Sequence, residues 1–416
     1  MISEIDESVR RLMERGVHIP SPGTVYVGPE VEPNRIAPGA TLLPGVRLMG
    51  SETLVLPGAI LGAEGPLTLT DCQVGPDVAL KGGFFRRAVF LEGSSAGLGA
   101  HVREGVILEE GANVAHTVGL KQTILFPFVT LGSLINFCDI LMAGGSDRKN
   151  HSEVGSSYIH FNYTPNRDKA TASLLGDVPR GVMLDRAPIF LGGQGGLVGP
   201  VRLAYGTVIA AGTIHRKDEL RPGRLLGGGP IRPINFPFSA GIYRNIRRLV
   251  ERNVNYIANL WALSAWYRHA RSMFLGDRFP APLLEGLRGT LDRGIAERIR
   301  RLGQVAENMP ESIELYRAEG GDMDGPLVRR KRELADRWPA LSAALATAGK
   351  RDGEDAARER FLAMMAKGVE REGPDYLRVV RSLSPEARAA GTAWLDGVVS
   401  ESTDAAMAAL PGFAET

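Results

Sequence analysis

The sequence predicts a left-handed parallel β-helix built from hexapeptide repeats, a β-solenoid, followed by an all-α C-terminal region. Aliphatic residues recur every six positions in the first half of the chain, and after about residue 240 the composition turns to Ala, Leu, Arg and Glu. Glycine is abundant, with 51 residues against 14 Phe, nine Tyr and four Trp in a chain of 416. That balance suits repetitive tight turns better than a bulky aromatic core.

The six-residue period is clearest in three stretches. It fits neither an α-helix of 3.6 residues per turn nor a simple hairpin meander. It fits a solenoid in which each hexapeptide forms one flat side and turns at a Gly or Pro-Gly. We expect these side chains to point inward and to stack from coil to coil. They are Ile36, Leu42 and Leu48, then Leu108, Val114 and Leu120, and then Leu191, Leu197, Leu203 and Ile209.

The chain divides into four predicted regions. Residues 1–16 form an amphipathic helix with Ser3 and Asp6 in a capping box and Gly16 at its end. The β-helix covers 17–220, a Pro/Gly-rich linker covers 221–239, and the helical region covers 240–416. Within the β-helix, 145–151 and 178–188 break the period and are expected to leave the coil as loops.

The helical region opens with one predicted long helix over 243–275, and further helices follow as far as Met407. Its apolar positions include Ile246, Leu249, Val250, Ile257, Leu260 and Leu263. The four nearby arginines, Arg244, Arg247, Arg248 and Arg252, are predicted to form a solvated face rather than a binding patch.

Charge and composition exclude several classes of function. The formal net charge of +2 supplies no field toward nucleic acid or an anionic membrane, so neither is an expected partner. No stretch reaches the roughly 18 apolar residues that a membrane helix needs, and the acidic N-terminus is not a signal peptide. Cys72 and Cys138 fit no metal spacing, so we expect no metal and interpret both as reduced core thiols of a cytoplasmic protein.

Three blocks of sequence resemble a known family. They are REGVILEEGANVAHTVGLK at 103–121, YIHFNY at 158–163 and FLGGQGGLVGPVRLAYGTVIAAGT at 190–213. Together they resemble the acetyltransferase half of the bifunctional N-acetylglucosamine-1-phosphate uridyltransferase/glucosamine-1-phosphate acetyltransferase family. The resemblance implies a homotrimer, acetyl-CoA or another acyl-CoA as co-substrate, and a sugar phosphate or nucleotide sugar as ligand. A whole uridyltransferase is not expected, because the segment before Val17 is too short to hold that domain.

The resemblance also implies roles for individual residues. Arg103 and Lys121 keep the family's eighteen-residue spacing and would hold a phosphate, the first through its planar fork and the second as a point charge. Asn162 and Tyr163 match the pair that contacts substrate and acetyl-CoA. The remaining matches are Lys169, one position late with Asp168 in the matching place, and Gly193 and Ala211, which would line the CoA groove.

The expected general base is replaced. Acyl transfer to an amine needs a base near the attacking nitrogen, and Ser133 stands where the family has a His. Asn136 replaces a Tyr and Glu153 replaces an Asn, and both Ser133 and Asn136 are retained as candidate substrate contacts. His151 and His160 are the candidate replacement bases, with His116 as a further possibility. Each of the three is also compatible with an ordinary surface or turn histidine.

Two hypotheses follow from these matches and departures. The first is a trimeric, CoA-dependent acyltransferase that acts on a nucleotide-linked or phosphorylated amino sugar. The second is a catalytically silent sugar-nucleotide-binding or scaffold protein with a helical partner-binding tail. The retained Arg103, Lys121, Asn162 and Tyr163 favour the enzyme, and the missing base favours the scaffold. Because eighteen residues make one coil, Arg103 and Lys121 should stack and repel each other unless an anion lies between them.

Overall fold

The structure, a computed structural model, describes residues 6–166, 168–228, 233, 235, 237–348 and 352–413. Its first part is a parallel β-solenoid of about 11 turns over residues 26–226, and a helical region follows it. The predicted fold class, a β-solenoid of hexapeptide repeats with an all-α C-terminal region, is therefore confirmed.

The solenoid begins after a short helix, α1 (Glu7–Glu14), whose N-cap is Asp6. The Asp6 carboxylate accepts a hydrogen bond from the Ser8 amide at 2.8 Å. Ser3, the other residue of the predicted capping box, lies outside the described residues. Val9 and Leu12 of this helix are buried and pack into the same core as the first coils.

Most coils contribute one short strand to each of three faces. The open face contains β1 (Tyr26–Val27), β3 (Val46–Met49), β6 (Leu67–Thr70), β9 (Gly83–Arg86), β12 (Ala100–Val102), the first halves of β15 (Gly119–Leu125) and β17 (Asn136–Met142), β21 (Ile159–Phe161), β24 (Gly196–Val198) and β27 (Ile214–His215). The covered face contains β4 (Leu54–Val55), β7 (Gln73–Val74), β10 (Ala88–Phe90), β13 (Val106–Leu108), the second halves of β15 and β17, β22 (Ser173–Leu175) and β25 (Arg202–Leu203).

The side face completes the triangle. It contains β2 (Thr41–Leu42), β5 (Ile60–Leu61), β8 (Ala79–Leu80), β11 (Ser95–Ala96), β14 (Asn113–Val114), β16 (Thr130–Leu131), β20 (Glu153–Val154), β23 (Phe190–Leu191), β26 (Val208–Ile209) and β28 (Leu225–Leu226). The last of these pairs with β26, so the coil continues into the segment that the sequence assigns to a linker from residue 221.

Inward side chains of the three faces form a continuous core. All ten aliphatic residues of the three predicted hexapeptide stretches are buried, with at most 2% of their surface exposed. Cys72 and Cys138 are buried free thiols, as expected. Close stacking of identical positions from coil to coil therefore accounts for the six-residue period that the sequence displays.

Two segments that break the six-residue period leave the coil, as predicted. The segment 145–151 forms an antiparallel hairpin of β18 (Gly145–Asp147) and β19 (Asn150–His151), between the covered face and the side face. The segment 178–188 begins with a short helix, α2 (Val178–Gly181), whose N-cap carboxylate, on Asp177, accepts from the Arg180 amide at 2.9 Å.

The helical region contains α3 (Ile246–His269), α4 (Ala281–Glu307), α5 (Met309–Ala318), α6 (Pro326–Thr347), α7 (Asp355–Glu372), α8 (Tyr376–Ser382) and α9 (Pro385–Met407). The predicted long helix over 243–275 is thus shorter, because a 3-10 turn over Arg271–Phe274 replaces its last part. No helix among the described residues is long and apolar enough to cross a membrane.

The helical region lies directly on the covered face. Outward residues of this face, among them Val89, Ile107 and Leu141, have no exposed surface. Helix α4 lies close to this face at Gly286, where an added Cβ would lie 2.5 Å from Cγ of Gln73. The predicted solvated arginine face is wrong for Arg252, which pairs with Asp218 of the solenoid and is only 20% exposed. The helical region is therefore a covering domain and not a free tail.

Candidate functional site

The strongest candidates meet at one edge of the solenoid, between the open face and the covered face, which we call the Arg103 corner. It comprises Arg103–Gly105, Lys121–Gln122, Cys138–Asp139, Asn162–Asn166 and Asp168–Lys169. Val102 pairs with Leu120 in the ladder, and the Arg103 amide donates to the Leu120 carbonyl at 2.9 Å. Arg103 and Lys121 therefore leave the same edge one coil apart, as their spacing predicts.

A carboxylate of the protein lies between the cations of this corner. Glu104 accepts from Nζ of Lys121 at 2.8 Å and from Nη2 of Arg86 at 3.0 Å. Partial burial alone would raise the pKa of Glu104, but the hydrogen bonds from Lys121, its own amide and Arg86 lower it to about 2. The inference that Lys121 needs an external anion is corrected by this contact, because Glu104 already supplies the negative charge.

Arg103 is placed differently from Lys121. Among the residues that the structure describes, no carboxylate lies within 4.0 Å of its guanidinium, and the thiol of Cys138 is near enough for Arg103 to affect its pKa. Burial raises the pKa of that thiol, and so does the charge of Asp139, while Arg103 and Lys121 act in the opposite direction. The Arg103 guanidinium therefore keeps most of its donors for a ligand.

Arg103 opens into a groove of about 420 Å³ on the open face. The groove lies across three successive coils. The groove is open at Gly119, because this residue has no side chain. His101 and Asn136 are the outward residues of the coils on either side of it. The groove is lined by Gly99, His101, Arg103, Thr117, Val118, Gly119, Leu120, Leu134, Ile135 and Asn136.

Asn162 connects the Arg103 corner to the covering domain. Its side chain lies beside the Asp139 carboxyl and acts to lower the pKa of that group, and Asp139 forms an ion pair at 2.9 Å with Nη2 of Arg298 on α4. Nη1 of Arg298 also donates to the carbonyl of Lys169 at 3.3 Å. Burial raises the pKa of Asp139 despite the attraction of Arg298. Tyr163 is 60% exposed at the surface of the same loop.

The two candidate bases are not at the groove. His160 points into the core, 2% exposed, with Nδ1 donating to the Cys138 carbonyl at 2.5 Å and Nε2 facing the Ser173 hydroxyl at 2.7 Å. Burial lowers the pKa of this imidazole to about 4. His151 lies in the hairpin on another corner, with Nδ1 3.0 Å from the Arg148 carbonyl. Neither placement brings an imidazole beside Arg103.

The remaining predicted residues lie on the opposite edge of the open face, which we call the Gly193 corner. Gly193 and Ala211 stack there, and the Gly212 amide donates to the Gly193 carbonyl at 2.9 Å. The Ser133 amide donates to the Ser156 hydroxyl of this corner at 3.2 Å. The ladder runs from β12 through β15, β17 and β21 to β24, so four steps, or about 19 Å along the axis, separate this corner's upper coils from Arg103.

The sequence analysis missed three residues of the site. Glu104 follows Arg103 directly, and its ability to neutralise Lys121 depends on the turn at this corner, which the spacing does not reveal. His101 lies two residues before Arg103, and the period-2 alternation of a strand is the signal that places both on one face. Arg298 lies 195 positions along the chain from Arg103, and no local pattern indicates its contact with Asp139. The described residues contain no group of three metal-ligating side chains.

Comparisons with known proteins agree with this geometry. No protein-family model matches the chain. It is 30% identical over 212 residues to the bifunctional protein GlmU of Kineococcus radiotolerans, which covers 51% of this chain and 38% of that protein. The GlmU of Thermotoga maritima is 24% identical over 236 residues, 54% of this chain and 45% of that protein. The GlmU of Thermus thermophilus is 30% identical over 191 residues, 46% and 37% respectively.

The chain thus spans less than half the length of these curated relatives. The matching part is about half of this chain, which is long enough for the solenoid but not for the solenoid and the helical region together. The solenoid and these similarities together show a hexapeptide-repeat protein that resembles the acyltransferase, C-terminal half of GlmU.

Proposed function

We propose that this protein is a CoA-dependent, acyltransferase-like protein that acts on or binds a nucleotide-linked or phosphorylated amino sugar related to UDP-N-acetylglucosamine. The observation that supports it most is Arg103, which faces the groove without a carboxylate partner among the described residues. Its neighbours Arg86 and Lys121 share Glu104 instead. A planar guanidinium with free donors is suited to bidentate binding of a phosphate.

The acyl donor would be acetyl-CoA or another acyl-CoA, held along the Gly193 corner. That corner is about 19 Å from Arg103 along the axis within one chain. We propose a homotrimer, the assembly that the resemblance implies, in which the groove of one copy faces a neighbouring copy. The covering domain occupies one face, which leaves the open and side faces for subunit contacts. We expect the assembly in the cytoplasm.

A catalytically silent sugar-nucleotide-binding or scaffold protein is the second candidate. The placement of the histidines favours it: both nitrogens of His160 are engaged inside the core, and His151 lies on another corner. Crystals soaked with UDP-N-acetylglucosamine and acetyl-CoA separate the two candidates. A histidine within hydrogen-bond distance of the acceptor nitrogen favours the transferase, and a bound ligand with no such base favours the silent protein.

Calorimetry tests the proposed anion site. We expect UDP-N-acetylglucosamine to bind the wild-type chain, and Arg103→Ala to weaken binding by about tenfold or more, since a charged hydrogen bond contributes about 1.5–3 kcal/mol. Arg47→Ala is the matched control, because Arg47 is an exposed arginine three coils lower on the same face. No heat with the wild-type chain, or equal affinity of Arg103→Ala and Arg47→Ala, contradicts the proposal.

Light scattering tests the proposed assembly. A homotrimer of a 44.7 kDa chain has a mass of about three chains. We expect that mass at micromolar concentration. A monomer under those conditions would contradict the proposed homotrimer, whereas sugar-nucleotide binding at Arg103 does not depend on the assembly.

A further inference from the structure

The groove beside Arg103 contains a gap of defined width. Phe84, His101, Gly119 and Asn136 occupy the same outward position on four successive strands. The rings of Phe84 and His101 are stacked, with centroids 5.1 Å apart and planes inclined by 22°. Gly119 then interrupts the column, and the nearest atoms to the position of its missing Cβ are Oδ1 and Cγ of Asn136, at 3.5 and 3.9 Å.

The width of the gap matches one flat ring. His101 and Asn136 are two strand spacings apart, or about 9.6 Å. A ring placed at the level of Gly119 would lie about 4.8 Å from each neighbour, within the 4.5–7 Å separation of stacked rings. The column already stacks Phe84 on His101 at 5.1 Å, so an inserted ring would continue an existing arrangement.

Polar groups surround the gap on two sides. Asn136 is exposed at its far end, one strand spacing beyond Gly119, so its planar amide would lie over the second face of an inserted ring. Arg103 follows His101 by two residues and therefore lies on the same side, about 6.6 Å further along the strand. A ring in the gap would thus have an imidazole on one face, an amide on the other and a phosphate-binding cation beside it.

We propose that this gap is a nucleobase slot, in which the uracil of a UDP-linked amino sugar stacks between the His101 imidazole and the planar Asn136 amide while Arg103 holds the diphosphate. The assignment rests on the proposed function, and it adds which part of the ligand lies where. A pyrimidine has two flat faces, which match the imidazole on one side and the amide on the other. Stacking of a nucleobase on an aromatic side chain strengthens binding by about tenfold or more.

Gly119 offers a direct test, because its replacement is tolerated by the backbone. An added Cβ would lie 3.5 Å from Oδ1 of Asn136, an ordinary contact. Gly119→Leu should therefore fill the slot without unfolding the coil. Thr68→Leu is the matched control, since Thr68 occupies the same column beneath Phe84 and outside the groove. Thermal melts followed by circular dichroism verify that both variants stay folded.

Calorimetry with three ligands then tests where the nucleobase binds. We expect Gly119→Leu to weaken UMP and UDP-N-acetylglucosamine by about tenfold or more. The affinity for N-acetylglucosamine-1-phosphate, which has no nucleobase, should change by less than about threefold. Thr68→Leu should bind all three ligands as the wild-type chain does. Unchanged UMP binding by folded Gly119→Leu, or equal loss of all three ligands, overturns the uracil assignment.

Substitution of His101 separates stacking from other roles. His101→Ala should lose UMP affinity by about tenfold, and His101→Phe should restore most of it because Phe keeps a flat ring. If His101→Phe binds no better than His101→Ala, the stacking claim is wrong. Wild-type binding of N-acetylglucosamine-1-phosphate without UMP would leave the proposed function standing and remove this slot. Binding of none of the three ligands would overturn both.

Discussion

Glu104 changes what the charge pattern at the Arg103 corner means. Eighteen-residue spacing predicts that Arg103 and Lys121 stack, and they do. Repulsion between them does not require a ligand, however, because Glu104 pairs with Lys121 and Arg86. Of the three cations, Arg103 keeps its charge available to the groove. One acidic side chain thus selects which cation is suited to bind an anion.

His160 gives a pH dependence that can be measured. Its folded pKa is about 4, below the ordinary value of 6.5, because the imidazole is buried. Between these values the unfolded chain binds a proton that the folded chain does not, so stability falls as the pH decreases from 6.5 to 4. The loss approaches about 3 kcal/mol below pH 4, because a tenfold difference in proton affinity between the two states corresponds to about 1.4 kcal/mol.

Chemical denaturation at pH 7, 5.5 and 4 tests this effect of His160. His160→Gln removes the titrating group, so its stability should fall less steeply with decreasing pH than that of the wild-type chain. His116→Gln is the control, because His116 is exposed at the turn between the side face and the open face. Identical pH slopes for the wild-type chain and His160→Gln would show that the buried imidazole does not titrate as described.

At the scale of elements, the inward leucine stack determines whether a coil forms. Leu203 in β25 is 2% exposed and belongs to the clearest predicted register. Leu203→Asp places a carboxylate in the core with no partner, which should cost several kcal/mol. We expect a large drop in melting temperature or loss of soluble protein. Val208→Asp, at an outward position of the next strand, should cost less than about 1 kcal/mol, and equal melting of the two variants would contradict the register.

Elements were predictable where one local pattern determines them. The hexapeptide period identifies inward residues because each coil repeats the same geometry. The hairpin over 145–151 was predicted only as a loop, because its pairing of Gly145 with His151 leaves no period in so few residues. The strand at Leu225–Leu226 lies in a Pro/Gly-rich stretch and pairs with β26, a contact that composition alone does not indicate.

At the scale of the whole molecule, the covered face was predictable in principle. Its strands are apolar at outward as well as inward positions: Ile107 lies between Val106 and Leu108, and all three are fully buried. Continuous apolar strands indicate a sheet covered on both sides. What covers it was not predictable, because contacts such as Tyr267 with Glu109 and Arg271 with Glu110 join residues about 160 positions apart.

These interface contacts also affect the buried acidic residues of the solenoid. Burial raises the pKa of the Glu109 carboxyl, and the adjacent Glu110 raises it further, while Tyr267 donates a hydrogen bond to it. Glu110 is paired with Arg271, whose guanidinium lies 3.7 Å from the Tyr376 ring centroid. The helical region therefore supplies groups that compensate buried charges of the coil, and the solenoid depends on it for more than apolar cover.

Arg298 and Asp139 provide the test of this dependence. Both are nearly fully buried, at 3% and 4% exposure of their side chains, and they join α4 to the Arg103 corner at 2.9 Å. Arg298→Met leaves the Asp139 carboxylate buried without its main partner, which should cost about 3–5 kcal/mol. Asp139→Asn with Arg298→Met removes both charges, so the double variant should recover a large part of that loss.

Denaturant melts of the wild-type chain, both single variants and the double variant measure this coupling. Because Arg298 also donates to the Lys169 carbonyl, Arg298→Met should additionally loosen the loop that carries Asn162, and Asp139→Asn alone should do so less. If the covering domain and the solenoid were independent, helix and sheet signals would unfold at different denaturant concentrations and the two substitutions would be additive. A coupling energy above about 1 kcal/mol with coincident transitions would instead show one cooperative unit, in which α4 holds the Arg103 corner in place.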